Sequence, residues 1–368
     1  MRTLVDNLLR GRFDGRGGLP AIALLLFLTM VASHGCLRAG PFRRPLLTSR
    51  FEVMAFAMAQ GERGLAGSVE SLEAHIDTID TVLDSGGLVR DDGTLESQGA
   101  PGRPATSDIT RDRGKRLMLL VSNAAPGEQG GTGMFETARD RAKTVQNLVT
   151  KVARDGFDGL HLGFERMPAR VKPLYSAFIR DLATALHAQG KTLGVSVFPV
   201  VDMPAGTWGA CDYSVTGKEA DYVVLCAYDR HDLTTQAGAI APAGWVEAGL
   251  RKALMEIDPA KVLLGVGVYA YDWPERANAQ APEYLPAQQA LHRAAANSAR
   301  IIVDPASQQK TFRYRRDGID RTVWVQDAYS VRSKINLANK YGLRGVAIWR
   351  LGLEDDLTWS LISSMHRK

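Results

Sequence analysis

The sequence predicts an α/β fold: a closed (β/α)8 TIM barrel with a small β-hairpin insertion before the last helix and strand. Three observations predict it. From Phe51 onward, short apolar runs alternate with amphipathic stretches, and strands that are apolar on both faces, with helices between them, mark a parallel sheet. Eight such runs suit a closed barrel better than an open doubly wound sheet. No Gly-rich dinucleotide turn follows the first run, which argues against a Rossmann domain.

The first element precedes the barrel. Arg2, Arg10, Arg12 and Arg16 lead into the apolar run Leu19 to Ala32, followed by Ser33, His34 and Gly35. A charged region, an apolar core and small residues are the parts of a secretory signal. The run is short for a full membrane span, and an uncleaved anchor is the other reading. Cys36 lacks the aliphatic residue three positions before it that a lipoprotein site would favour. Residues 1–36 are thus expected to be a signal peptide or membrane anchor, 37–50 a linker, and 51–368 the barrel. The protein is expected to be secreted, periplasmic or membrane-anchored facing outside.

The barrel elements follow in order. "FEVMAF" (Phe51–Phe56) reads as the first strand, and Ser68–Asp80 as a helix with Val69, Leu72, Ile76 and Ile79 at helical spacing. "TVLDSGGLV" holds a second strand. Asp91 to Arg113, rich in Gly, Pro, Ser, Thr and Asp, reads as a loop. "RLMLLVS" (Arg116–Ser122) is the third strand, "NAAPGEQGGTG" a flexible loop, and Glu136 to Arg154 a helix. The fourth strand is "GLHLGFE" (Gly159–Glu165), followed by an amphipathic helix stopped at Gly190. "TLGVSVFP", "ADYVVLCAYD" (Ala220–Asp229) and "KVLLGVGVYAYDW" (Lys261–Trp273) are the next three. "FRYRR" and "RTVWVQ" flank "DGID", a hairpin signal, which places the β insertion at about 304–328. The helix "DAYSVRSKINLANKYG" and the strand "GVAIWRL" (Gly345–Leu351) close the barrel.

Composition narrows the partners. Of the 368 residues, 45% are hydrophobic and 23% charged, as in ordinary globular proteins. The net charge of +5 is scattered, without the aromatic-basic interleaving of a nucleic-acid module. Cys36, Cys211 and Cys226 lack metal-ligand spacing and neither require nor exclude a disulfide between the last two. His231 and Asp232 have no second histidine placed to complete a metal site. No metal and no cofactor are expected, and membrane contact only through the N-terminal segment.

The fourth strand carries the functional signal. Leu160, Leu162 and Phe164 fall on one face, His161, Gly163 and Glu165 on the other. A glutamate ending an inward-facing set lies where parallel barrels keep their chemistry. Four segments together, "GFDGLHLGFE", "LCAYD", "LLGVGVYAYDW" and "VWVQDA…GLRGVAIWRLGLED", resemble glycoside hydrolase family 18, in that order and over most of the chain from Phe51. The resemblance is to the branch with spore-cortex-lytic enzymes and deacetylase-fused domains. It implies a polysaccharide or oligosaccharide substrate of β-linked N-acetylglucosamine: chitin, peptidoglycan or an exopolysaccharide.

The resemblance also implies roles. Family members use substrate-assisted hydrolysis, an exception to the two-carboxylate scheme. A glutamic acid protonates the leaving oxygen, and the sugar's own acetamido group attacks the anomeric carbon. Glu165 matches that acid. Tyr228 and Asp229 match the pair that holds the acetamido group. Trp349 matches the subsite floor, and Tyr269 and Trp273 match wall aromatics. Asp158 matches a structural aspartate. His161 stands where the family's second aspartate belongs, and Gly163 where the acetamido-orienting aspartate belongs. Cys226 replaces a methionine, and Gly267–Val268 departs from the family's proline turn. Removing an electrostatic stabiliser of a developing charge commonly costs about 10²–10³ in rate. Two readings follow: a weak or specialised hydrolase, and a non-catalytic glycan-binding or scaffold domain derived from the family. The acidic run Glu354–Asp356 reads as a solvated loop.

Residues before about Gly35 should be dispensable for folding, because their apolar run shares no periodicity with the rest. A chain beginning near Leu37 should be soluble and melt cooperatively; its aggregation beside a well-behaved full-length chain would refute this.

Overall fold

A computed structural model describes residues 51–58, 67–96, 106–124, 129–202, 209–275 and 280–366; the signal, anchor and linker assignments of 1–50 lie outside them. Eight parallel strands close into a barrel: β1 (Glu52–Ala57), β2 (Thr81–Val89), β4 (Arg116–Ser122), β5 (Gly159–Leu162), β6 (Thr192–Val197), β7 (Tyr222–Cys226), β8 (Val262–Gly267) and β14 (Gly345–Trp349). Closure is made by β1, which pairs with both β2 and β14. A short β3 (Leu95–Glu96) hangs antiparallel on β2.

Alternation sorts the side chains. Met54, Phe56, Leu83, Met118, Leu120, Tyr222, Val224, Cys226, Leu263 and Ala347 pack together inside the barrel. Their neighbours in sequence, such as Ala55, Leu119, Val223 and Leu264, pack outward in a second cluster shared with the helices. Within α3 (Ala138–Arg154), Val145, Leu148, Val149 and Val152 line the buried stripe, and Thr137 caps the N-terminus by accepting from the Asp140 N–H. In α4 (Lys172–His187), Tyr175, Phe178, Ile179, Leu182 and Leu186 do the same, and Gly190 leaves the helix in the left-handed conformation.

One device recurs at the N-terminal end of the barrel. Asp80, Asp158 and Asp221 each precede a strand and accept the N–H of the strand before it, at Val53 (2.9 Å), Leu117 (2.8 Å) and Leu193 (2.8 Å). Asp158 is therefore far from any groove and structural.

Several expectations change. The stretch Asp91 to Arg113 is not all loop: it holds β3 and the helix α2 (Thr106–Asp112). The apolar stretch Lys261–Trp273 is two strands, since β8 ends at Gly267 and β9 (Tyr269–Pro274) leaves the barrel. There β9 joins β10 (Glu283–Pro286), β11 (Ile302–Asp304), β12 (Gln309–Arg316) and β13 (Ile319–Val325) in a five-stranded antiparallel sheet, order β10-β9-β13-β12-β11. The foreseen hairpin is β12–β13, turned by Asp317 and Gly318, both at positive φ. Nor is the run Glu354–Asp356 merely solvated. Asp355 is buried and accepts from the Ala328 and Leu357 N–H groups and the Thr358 hydroxyl, tying the starts of α8 (Ala328–Lys340) and α9 (Thr358–His366) together. Among the described residues no helix is long and apolar enough to cross a membrane.

His161 is fully buried inside the barrel. Its Nδ1 lies 3.1 Å from the Tyr222 hydroxyl and its Nε2 2.8 Å from Ser196 Oγ. The place given to it beside a substrate is thus corrected: both ring nitrogens are used in the core. Desolvation holds the imidazole down at about 3, so the folded protein keeps it neutral. The unfolded chain takes up that proton as pH falls through about 6.5. Stability from this group is therefore complete above about 6.5 and is lost toward about 3, with a slope approaching about 1.4 kcal/mol per pH unit. His161→Gln, which cannot titrate, should show a correspondingly shallower acid loss in urea melts between about pH 7 and 4; parallel profiles would disprove it.

Candidate active site

At the C-terminal end the barrel's inner layer finishes in three half-buried aromatics, Phe198, Tyr228 and Trp349. Tyr228 stacks on Trp349 with ring centroids 6.3 Å apart, and Phe56 meets Trp349 edge-on at 5.0 Å. An apolar barrel interior cannot be left open to water without exposing these rings. The result is a floor of π faces, which suits the apolar face of a sugar ring.

Carboxylates stand around the floor. Glu165 follows β5 and is half-buried. Its backbone is gripped by Asn123, whose Oδ1 accepts the Glu165 N–H at 2.9 Å and whose Nδ2 donates to the Glu165 carbonyl at 3.1 Å. Asn123 itself is buried. The loop at 129–133 closes over the same spot: Gly130 N–H and the Gln129 amide both donate to the Arg166 carbonyl. A Cβ at Gly130 would meet the Glu165 carbonyl oxygen at 2.2 Å, so only glycine permits the approach. Arg166 turns the chain at φ 54°, a left-handed conformation that a non-glycine residue keeps only where its surroundings impose it.

Asp229 follows β7, two strands round the barrel from β5, and is also left-handed at φ 59°. Its Oδ1 accepts from the Tyr269 hydroxyl and, at 2.9 Å, from Tyr271. The residue is open to solvent yet surrounded by dense protein, as expected for the wall of a cleft. Desolvation is the largest influence on its carboxyl and outweighs the two tyrosine bonds; the charges of Asp232 and Glu165 add to it, and the carboxyl rises to about 6. Glu165 also bears on Tyr228 and Cys226, so its carboxylate shares one electrostatic neighbourhood with both.

Of the residues singled out in the sequence, the structure brings Glu165, Tyr228, Asp229 and Trp349 to one barrel end. Gly163 lies on the path into it. A Cβ there would touch the flexible tip of Leu120 at 3.0 Å and the Val121 carbonyl at 3.4 Å, so the space is shared with Leu120 rather than empty. Tyr269 and Trp273 are 0% and 3% exposed, so neither presents an open face to a sugar. The cause is the break at Val268, which carries their strand into the second sheet. Tyr269 supports Asp229 there, and the Trp273 indole donates to the Asp232 carbonyl at 3.0 Å. Asn123, Gly130 and Phe198 were not foreseen. An amide directly after an apolar strand, followed by a Gly-Gly loop, is the signal that could have found the first two. Cys211 and Cys226 are free thiols. Among the described residues no cluster of His, Cys, Asp and Glu could hold a metal ion.

The profile of glycosyl hydrolases family 18 matches residues 53–354, from the first barrel strand to just past the last. The chain belongs to glycosyl hydrolases family 18. Among its family 18 relatives is the cortical fragment-lytic enzyme of Bacillus subtilis (strain 168), 29% identical over 273 residues. That match covers 72% of this chain and 63% of the relative, so the chain spans less than two thirds of the relative's length. A chitinase from Chromobacterium violaceum superposes with a TM-score of 0.76 at 27% identity, over 85% of this chain and 98% of the other. The spore cortex-lytic enzyme SleL of Bacillus megaterium shares the fold, with a TM-score of 0.76 at 23% identity, covering 86% and 74%.

Asn123→Ala should loosen the Glu165 turn, because it leaves a backbone N–H and a carbonyl without their partner. The expected cost is about 1–3 kcal/mol, with faster hydrogen exchange over residues 163–166. Unchanged exchange there in a folded variant would show that the loop at 129–133 suffices.

Proposed function

We propose that this chain is a glycosidase that hydrolyses a β-linked N-acetylglucosamine polymer (chitin, peptidoglycan or an exopolysaccharide) with retention of configuration. The observation that carries the reading is the convergence of Glu165, Tyr228, Asp229 and Trp349 at one barrel end, over an aromatic floor. The relatives' names, a cortical fragment-lytic enzyme and a chitinase, support a glycan of this class. The arginine-flanked apolar run at the N-terminus supports a site of action outside the cytoplasm.

In this reading a sugar stacks on Trp349 and Tyr228. Glu165 gives its proton to the glycosidic oxygen as the bond to the anomeric carbon breaks. The acetamido oxygen of the same sugar closes on that carbon, forming an oxazolinium ion. Water then opens the ring and returns a proton to Glu165. The developing positive charge needs a nearby anion, and position 163 supplies none. Asp229 takes that role in part, carrying its charge above about pH 6. A second reading, glycan binding without hydrolysis, is favoured by one observation: the glycine at 163, two residues before the acid.

Turnover of a fluorogenic chitobioside and of peptidoglycan separates the readings. The parent should show slow turnover that Glu165→Gln abolishes. Gly163→Asp should raise it by about 10²–10³, after Leu120 shifts by a few tenths of an ångström, and the double variant should lose it. Oligosaccharide binding with no Glu165-dependent turnover, in either the parent or Gly163→Asp, would overturn the enzymatic reading in favour of the second.

A further inference from the structure

The five-stranded sheet ends in an open edge. Among the described residues β11 pairs only with β12, Ile302 opposite Thr311, Val303 opposite Lys310 and Asp304 opposite Gln309. Ile301, Ile302 and Val303 are 39%, 53% and 42% exposed. Three consecutive β-branched apolar residues on an open edge are a template for another strand, and proteins usually blunt such edges with lysine, proline or a bulge. The strand here is short and carries no lysine, proline or bulge; its one charge is Asp304, at its end.

The charges flanking it indicate which strand fits. The segment reads Arg300-Ile301-Ile302-Val303-Asp304. Laid antiparallel on a second copy with Ile302 at the centre, it sets Arg300 opposite Asp304 and Ile301 opposite Val303, each twice. Residues 302 and 304 share one face of β11, and extending the strand by two residues on pairing brings Arg300 to the same face, so both ion pairs flank the central isoleucine pair as direct cross-strand neighbours. A one-residue slip sets each arginine against a valine, which specifies the register. Arg300 is exposed and has no ion pair among the described residues. Asp304 accepts the Ser307 N–H at 2.8 Å, which holds its carboxylate at the strand end.

We propose that two copies of this chain associate edge to edge through β11, antiparallel about Ile302, so that their two insertion sheets become one continuous sheet. The pairing strand is short, and small interfaces of this kind are reversible. The dimer is therefore in concentration-dependent equilibrium with the monomer.

Sedimentation velocity of the full chain across a concentration series tests this. The parent should populate a dimer. Ile302→Lys, which puts two like charges at the centre, and Arg300→Asp, which sets two carboxylates against Asp304, should each weaken it about tenfold or more. Both changes are at exposed positions, and thermal melts matching the parent show that the fold is kept. Asp304→Arg should also be monomeric. Mixing Arg300→Asp with Asp304→Arg should restore a dimer, because both ion pairs re-form only between the two different chains. A parent that stays monomeric, or folded Ile302→Lys and Arg300→Asp chains that dimerise as the parent does, would overturn the proposal. So would a monomeric parent whose edge captures an unrelated strand-forming peptide, which would identify a different occupant.

Discussion

The buried hydrogen bonds from His161 to Tyr222 and Ser196 tie together the strands that lead to the candidate site. They join β5, β6 and β7 across the barrel interior, and those three strands lead to Glu165, Phe198 and the Tyr228–Asp229 pair. Tyr222 can lie there only because Gly194 has no side chain: a Cβ would stand 2.2 Å from the ring. The imidazole stacks on the same ring at 5.5 Å, and Arg344 covers it with its guanidinium 5.3 Å from the centroid. A polar bridge in an apolar interior is costly unless every member is satisfied. Here each partner is positioned by the closed sheet, so strand height and hydrogen bonding depend on each other.

That dependence explains how a family position can change character without loss of the fold. An aspartate at 161 would need donors in a dry interior; a neutral histidine both donates and accepts, and finds Tyr222 and Ser196. At 163 the glycine leaves the Leu120 tip as the lining of the path to the groove. With no carboxylate at 161 or 163, Glu165 has as a charged neighbour Asp229, just after the sixth barrel strand. Its carboxyl is held by two tyrosine hydroxyls and stays near 6 because the cleft desolvates it. The candidate site thus places two carboxyl groups, those of Glu165 and Asp229, just beyond the ends of two different strands.

The eight strands were readable because a closed parallel sheet, buried on both faces, writes itself as continuous apolar runs between helical periods. That Glu165, Tyr228, Asp229 and Trp349 lie at one barrel end was readable too, since each falls at or within three residues of a strand's C-terminal end. What escaped was determined by chain direction rather than composition. Val262–Tyr271 carries no charged residue and gave no sign that one sheet ends and another starts around Val268, so Tyr269 and Trp273 were expected on the groove face. Asn123 looked like the first residue of a loop. Its role depends on Glu165 lying 42 positions along the chain, a contact that no local pattern records. Asp355 resembled a solvated acid for the same reason: its partners Ala328 and Thr358 come from two separate helices.

The inserted sheet therefore belongs to the site's chemistry. Tyr269 and Tyr271 reach Asp229 only in one register of β9 against β13, where Tyr271 stands opposite Trp324 and Asp272 opposite Val323. A one-residue slip would turn both tyrosines to the other face. The register is held by Asp272 and Arg321, both fully buried and 2.6 Å apart, with Arg293 also paired to Asp272. A buried ion pair adds little net stability over apolar packing, but breaking it is expensive, so it selects one arrangement over its neighbours. In this protein the arrangement selected is the one that carries two phenols to the carboxylate at the groove. An ion pair in a sheet outside the barrel thus helps to fix the two hydrogen bonds that partly offset the desolvation of Asp229.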